Sequence, residues 1–149
     1  MYAMRVTGTM TFDEYWAAPD LQVKKANLRG SKKQAFGDNI YHREPGTDQW
    51  HQENSHHSFE DGGINMANVR NDTQVDRVLL SDDFVYWGGS GPALPARFLS
   101  YGPHAINICA VRNHKNDFPP ELVEDFVAWI RSLQEYGCPG EPLDWVRTP

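Results

Sequence analysis

The clearest periodic pattern of apolar positions lies near the C-terminus. Between Pro119 and Tyr136, apolar residues recur every three or four positions, as they do on one side of a helix. These residues are Leu122, Phe126, Trp129, Ile130 and Leu133. Two prolines and several acidic residues open the segment, and Gly137 follows it as a stop signal. The pattern predicts an amphipathic helix over 119–136, with Trp129 in the core.

Shorter apolar runs predict β-strands in the rest of the chain. They cover residues 1–10, 75–80, 84–87 and 106–111. The sequence Ser81-Asp82-Asp83 separates two of the runs and is typical of a turn. Trp87 ends one predicted strand, and we expect its ring to be in the core rather than in a ligand site.

Local signals place one more helix and one loop. Thr11 and Glu14 match a capping box for a short helix, which Pro19 should end. Residues 24–38 contain two glycines and no clear period, so we interpret them as a loop. Together the elements predict an α+β fold. We expect a small, twisted, mainly antiparallel sheet or partial β-barrel, covered by the C-terminal amphipathic helix.

Composition sets the broad class of the protein. A chain of 149 residues is expected to form a single domain over 1–149. No run approaches the roughly 20 apolar residues of a membrane helix, so no membrane partner is expected. The two cysteines form no metal-binding pattern, and Cys109, inside an apolar run, should be buried. These features favour a reducing, cytoplasmic setting.

The polar segment over residues 36–68 is the predicted site of function, because it holds four of the six histidines and little apolar periodicity. A pocket that reads a single base needs aromatic rings for stacking and polar groups for the base edge. Tyr41 and Trp50 are the candidates for stacking. The predicted base-edge residues are Asn39, Gln52 and Asn54, and the residues expected to orient the ligand are His42, His56 and His57.

A basic run precedes this segment. Five basic residues and no acidic residue lie between Lys24 and Lys33, although the net charge of the chain is −6. A local basic patch on an acidic protein suits a small phosphate-bearing ligand better than a long duplex. The predicted phosphate-binding residues are Lys24, Arg29, Lys32 and Lys33. A solvated basic loop without a ligand explains the run as well.

Signals for catalysis and metal binding are weaker. His51, His56, His57 and Asp61 are ligand-type residues close in sequence, but they lack the spacing that places ligands on one side of a helix or strand. Hydrogen bonding within a loop is the favoured explanation for them. No nucleophile elbow, phosphate-binding loop or dinucleotide fingerprint is present. The sequence therefore predicts no metal and no cofactor, and leaves the catalytic residues unknown.

Several long strings resemble one known family. They are YAMRVTGTMTFDEYW, NLRGSKKQAFGDNIYH, SHHS followed by DGG and N-x-x-N, and DRVLLSDDFVYWGGSGP. The chain is similar to the nucleotide modification associated domain 2 family of bacteria and phages. The resemblance implies work alongside systems that modify DNA bases, and an upstream strand of GDW type that this chain is expected to lack. By fold-level analogy it also implies a small barrel of the PUA/EVE kind.

We therefore expect recognition or handling of a modified nucleotide or DNA base, with nucleotide or DNA as partner and other DNA-modification proteins as possible partners. Two alternatives stay open. One is a metal-dependent enzyme that uses His51, His56 and His57 on a nucleotide. The other is a protein-interaction module that uses the acidic C-terminal helix.

Overall fold

The computed structural model of the chain describes residues 1–109 and 114–141. The residues group into two compact units. The unit called here the hairpin unit is Val6–Asp82, and the unit called the helix unit combines Met1–Arg5 with Asp83–Pro149. The single domain over 1–149 stays a prediction. Among the described residues, no helix is both long enough and apolar enough to cross a bilayer.

The elements are short and follow one another in a mixed order. The strands are β1 (Tyr2–Arg5), β2 (Gly8–Met10), β3 (Tyr41–Arg43), β4 (Trp50–Gln52), β5 (Val78–Leu80) and β6 (Asp83–Tyr86). The α-helices are α1 (Phe12–Ala17), α2 (Lys32–Ala35), α3 (Met66–Asp72) and α4 (Pro120–Ser132). Two 3-10 helices cover Pro19–Lys24 and Ala96–Leu99.

The strands form three antiparallel pairs, β1 with β6, β2 with β5 and β3 with β4. The α+β class, the antiparallel pairing and the C-terminal helix are thus confirmed. The pairs close no barrel within the part of the chain that the structure describes. The likeness to PUA/EVE barrels stays an analogy.

Two sequence predictions need correction in detail. The strand predicted over residues 1–10 is interrupted after Arg5, because its two halves pair with different strands. Residues 24–38 are not all loop, since they contain α2 and the end of the preceding 3-10 helix. Ser31 and Gln34 form a capping box at α2, the same local signal that correctly predicted α1 from Thr11.

The helix unit has an aromatic core. Phe98 is fully buried, and its ring lies 5.3 Å from that of Phe126 and 5.6 Å from that of Trp129. Trp129, which was predicted to be in the core, is half-buried and packs against this core with one part of its ring exposed. Trp87 is buried as predicted, and its indole Nε1 donates a hydrogen bond to Glu135.

The apolar run after Tyr101 differs from the prediction. Residues 106–109 form no strand beyond the isolated bridge between Tyr101 and Ile106, and residues 110–111 of the predicted strand lie outside the described residues. Cys109 is exposed, so its predicted burial is wrong. A cysteine without strand partners on both sides is not enclosed by neighbouring chain.

The core of the hairpin unit holds β3 in place. Ile40, Tyr41 and Val69 are buried together, and Phe12, Ala26 and Trp50 pack against them. The side chain of Asp13, in α1, accepts a hydrogen bond from the backbone N–H of Arg43 at 2.7 Å. The first turn of α1 therefore fixes the edge of β3, where the polar segment begins.

Candidate functional site

The β3–β4 hairpin carries the centre of the polar segment. Its register pairs Tyr41 with Gln52 and His42 with His51. Successive side chains of a strand point to opposite sides, so the first pair and the second pair face different surroundings. The hairpin thus separates the candidate residues into two clusters.

The first cluster, called here the tyrosine cluster, consists of Tyr41, Gln52, His57 and Asp72. The Tyr41 hydroxyl donates to Asp72 Oδ2 at 2.6 Å and accepts from Gln52 Nε2 at 3.2 Å. His57 Nδ1 lies 2.8 Å from the same Asp72 oxygen. Tyr41 and Gln52 are only 4% and 3% exposed. The cluster is a closed hydrogen-bond network that fixes the hairpin to α3.

Burial and the bond to Asp72 both raise the pKa of the Tyr41 hydroxyl, and the bond from Gln52 only partly opposes them. The hydroxyl therefore stays protonated and remains a donor to Asp72. With Nδ1 facing Asp72, the Nε2 atom of a neutral His57 carries the free lone pair.

The predicted base-edge amides occupy different positions. Asn39 is 1% exposed, and its Nδ2 donates to the Tyr15 carbonyl at 2.9 Å. Gln52 uses its amide on Tyr41, and its Oε1 accepts from the Asn65 N–H at 2.7 Å. Asn54 is exposed and its Oδ1 accepts from Ser58 Oγ at 3.0 Å. Asn39 and Gln52 are thus closed to a ligand in this structure.

The predicted stacking rings are also enclosed. The ring of Tyr41 is in the core, with Phe12 against its edge at 5.9 Å. Trp50 is half-buried; the Arg43 guanidinium lies 4.3 Å from the centre of its ring, and Phe12 meets it edge-on at 5.5 Å. Both rings hold the hairpin unit together.

The second cluster, called here the histidine–glutamate cluster, consists of His42, His51 and Glu53. Glu53 Oε1 lies 3.3 Å from His42 Nε2 and 3.6 Å from His51 Nε2. The other ring nitrogen of His42, Nδ1, lies 3.0 Å from the Arg43 carbonyl oxygen. Trp16 of α1 stacks on the His42 ring, with centroids 4.2 Å apart and planes 18° apart.

This cluster follows from the hairpin register, which sequence reasoning missed. His42 and His51 are direct cross-strand partners, and Glu53 lies two residues beyond His51, on the same side of the chain. The His-x-Glu spacing at 51–53 was a visible signal, but the partner strand that adds His42 was not. Within the described ranges, this is the group of three ligand-type side chains close enough to share a metal ion.

The metal set considered from the sequence is not assembled. His56 and His57 lie together elsewhere, with ring centroids 4.5 Å apart, and His56 also contacts Phe36. Asp61 Oδ1 accepts the backbone N–H of Gly63 at 2.9 Å, as in a turn. Only His51 of that set belongs to a potential ligand group in the part of the chain described.

A cleft of about 450 Å³ opens beside the histidine–glutamate cluster. It is lined by Asp13, Trp16, His42, Arg43 and the turn over residues 44–48. Arg43 bridges Asp13 at 2.7 Å and Asp76 at 2.8 Å. Burial alone would raise the pKa of Asp13, but the hydrogen bonds from Arg43 outweigh it and lower that pKa. The wall of the cleft therefore carries an ionised carboxylate.

The predicted phosphate-binding residues Lys24, Arg29, Lys32 and Lys33 are all exposed. The backbone at the start of the run packs against Gly37, where an added Cβ would lie 2.4 Å from the Lys24 carbonyl oxygen. Lys25, in the same run, places its Nζ 3.2 Å from the centre of the Trp16 ring. That contact fixes one end of the run beside a wall of the cleft.

Comparison with known proteins agrees with the resemblance of the sequence strings. No curated protein and no solved structure matches the chain. The family profile described as nucleotide modification associated domain 2 matches residues 1–149, which is the whole chain. That match extends the similarity through α4 to the last residue, so the chain belongs to the nucleotide modification associated domain 2 family.

Proposed function

We propose that the hairpin unit binds a nucleotide or a single nucleic-acid base, as part of recognising or handling a modified base. The family points to nucleotide modification systems in general. The observation that carries the finer proposal is the contact of Lys25 with Trp16, which joins the basic run to the cleft. One end of the site then offers cations, and the other offers a polar concavity.

The cleft suits the heterocycle of such a ligand. Its volume of about 450 Å³ lies within the roughly 300–1,000 Å³ of small-molecule sites. Trp16 and His42 line the cleft with aromatic side chains. His42 and Lys25 cover the two faces of the Trp16 ring, so a base in the cleft would meet the edge of that ring. Asp13 and Asp48 provide carboxylates, which accept hydrogen bonds from the exocyclic amino groups of bases.

The charges of the cleft favour a phosphate at the other end. Asp13, Glu44 and Asp48 line the cleft together with one cation, Arg43. Because Arg43 is already bridged to Asp13 and Asp76, the excess of carboxylates would repel a phosphate placed inside the cleft. Lys24, Arg29 and Lys33 belong to a run without acidic residues, and they are exposed. A ligand with its base in the cleft and its phosphate towards Lys25 satisfies both preferences.

The residues predicted from the sequence divide into two roles in this proposal. His42 lines the cleft and contacts the ligand. Tyr41, Gln52 and Trp50 act indirectly, since they hold the hairpin that carries His42. His57 and His56 lie in and beside the tyrosine cluster and serve the positioning of the polar segment.

Two substitutions separate the two ends of the proposed site. We expect Lys33→Glu to weaken binding of a nucleoside monophosphate about tenfold, the effect of losing one charge-assisted contact, and to leave nucleoside binding unchanged. We expect Asp48→Asn to weaken both ligands equally. Titration calorimetry with free nucleosides, their monophosphates and short oligomers carrying modified bases measures these effects.

Arg77→Glu is the matched control for Lys33→Glu, because it makes the same charge change at an exposed position of the hairpin unit outside the run. Equal losses of affinity in Lys33→Glu and Arg77→Glu would show that the effect comes from net charge alone. No saturable binding by folded protein, across nucleosides, monophosphates and modified oligomers, would overturn the proposal.

A further inference from the structure

We propose that His42, His51 and Glu53 bind one divalent transition-metal ion of the zinc or ferrous-iron class. The ligand atoms are Nε2 of each histidine and Oε1 of Glu53. The inference rests on the hairpin geometry, and the metal site shares only His42 with the proposed nucleotide site.

The distances within the cluster suit a shared ion. Ligands held at about 2.0–2.1 Å from a tetrahedral zinc lie about 3.3–3.4 Å from one another. Glu53 Oε1 is 3.3 Å from His42 Nε2 and 3.6 Å from His51 Nε2. All three ligand atoms lie within 4.8 Å of one another. The three ligand atoms are therefore close to the spacing that one shared ion needs.

The hydrogen bonding of His42 favours a cation between the ligands. Its Nδ1 donates to the Arg43 carbonyl at 3.0 Å, so in the neutral ring Nε2 holds a lone pair. That lone pair faces a carboxylate oxygen 3.3 Å away, and two acceptors repel each other unless a proton or a metal ion lies between them. Donation of the second nitrogen to a backbone carbonyl is the arrangement that orients metal-binding histidines in proteins.

The neighbours of His42 fix its orientation before any ion binds. Trp16 stacks on one side of the ring at 4.2 Å, and the His51 ring lies 4.9 Å away. Lys25 rests on the Trp16 ring and not on the cluster, so its charge is separated from the ion by the indole. A site whose rings are held in this way loses little side-chain entropy on binding.

The donor set selects the class of ion. Two imidazoles and one carboxylate suit zinc or ferrous iron, whereas magnesium and calcium prefer sites made of oxygen atoms. The side chains of His42, His51 and Glu53 are 15%, 37% and 40% exposed. An ion can therefore enter from solvent, and three protein ligands leave at least one coordination position for water or a ligand.

The test removes metals from the full chain with a chelator, adds back one metal at a time and then dialyses the protein. We expect one Zn²⁺ or one Fe²⁺ per chain to remain bound after dialysis, and no Mg²⁺. At a free zinc concentration of about 100 times Kd, the Tm should rise by about 5–10 °C. His51→Ala and Glu53→Gln should each weaken zinc binding by at least about 100-fold. Removal of a metal ligand lowers the affinity more than removal of a residue that only hydrogen-bonds to a ligand.

Three further variants make the result decisive. His56→Ala and His57→Ala change the histidines outside the cluster in the same unit, and His104→Ala changes an exposed histidine of the helix unit. We expect all three to keep the zinc stoichiometry and the Tm shift. Circular dichroism of each metal-free variant shows whether it is folded.

The proposal is overturned by folded wild-type protein that retains no transition metal. It is equally overturned if zinc binding survives His51→Ala and Glu53→Gln, or is lost in folded His104→Ala, since the ion would then lie elsewhere. Nucleotide titration of the metal-free protein is a separate measurement, so failure of this site and failure of nucleotide binding are distinguishable.

Discussion

The two clusters of the β3–β4 hairpin are both built from polar side chains, but they differ in how deeply their strand residues are buried. The tyrosine cluster is centred on residues that are 3–4% exposed, and its donors and acceptors are satisfied by one another. In the histidine–glutamate cluster, the side chains of His51 and Glu53 are 37% and 40% exposed, and His42 directs Nε2 towards a Glu53 oxygen. Neighbouring residues of one short strand thus belong to different clusters, because adjacent side chains point to opposite sides of the strand. Tyr41 and Gln52, on one side of the hairpin, stabilise the unit, whereas the side chain of His51, on the other side, is partly exposed to solvent.

The difference in burial between the two clusters predicts a large loss of stability when the tyrosine cluster is disrupted. Tyr41→Ala should lower the free energy of unfolding by about 3–5 kcal/mol, because it removes a buried ring and leaves a cavity. Urea denaturation followed by circular dichroism measures the change.

The matched control is Tyr136→Ala, since that tyrosine is 64% exposed and should cost within about 0.5 kcal/mol. Tyr41→Phe keeps the ring and removes the hydroxyl, so its cost should be about 1–2 kcal/mol. Equal stability of Tyr41→Ala and Tyr136→Ala would contradict the burial of the tyrosine cluster.

Adjacent positions of β4 provide the next test. Gln52→Ala should cost about 1–3 kcal/mol, because it leaves the Asn65 N–H without its acceptor and the Tyr41 hydroxyl without a donor. His51→Ala, in metal-free protein, should change stability by less than about 0.5 kcal/mol. The same denaturation experiment, run on both variants without metal, measures the two values. A larger loss of stability in His51→Ala would show that the histidine–glutamate cluster also stabilises the fold.

The smallest expected effect is a dependence on pH. Burial, and then the nearby His57, lower the pKa of His56 below its ordinary value of 6.5. The unfolded chain therefore binds this proton more readily than the folded one, so the stability present above pH 6.5 declines as the pH falls through that value. Thermal unfolding between pH 5 and 8 should show a shallower slope in His56→Gln than in wild type. An unchanged slope would assign the dependence to other groups.

The interaction of Asp13 with Arg43, which supports β3, should weaken only at a lower pH than the one at which His56 titrates. The pKa of Asp13 is lowered by its bonds from Arg43, so its contribution is present above the ordinary value of 3.8 and is lost as the pH falls below it. The two pH ranges do not overlap, which allows the His56 effect to be measured while Asp13 is ionised.

Local signals in the sequence determined several elements of this protein. The capping box at Thr11 predicted α1, and the spacing of Leu122, Phe126 and Trp129 predicted α4. These signals succeed because capping and amphipathic periodicity depend on residues within one or two turns. The same kind of signal, formed by Ser31 and Gln34, caps α2 within the segment that lacks a clear apolar period.

Tertiary structure alone decided the environment of the polar segment. From the sequence, Tyr41 and His42 were neighbouring candidates for one ligand, and His51 was grouped with His56 and His57. The pairing of β3 with β4 instead buries Tyr41 beside Gln52 and joins His42 to His51 and Glu53. Which side of a strand is covered, and which partner lies opposite, depend on contacts between residues far apart in the chain. No local pattern specifies those contacts.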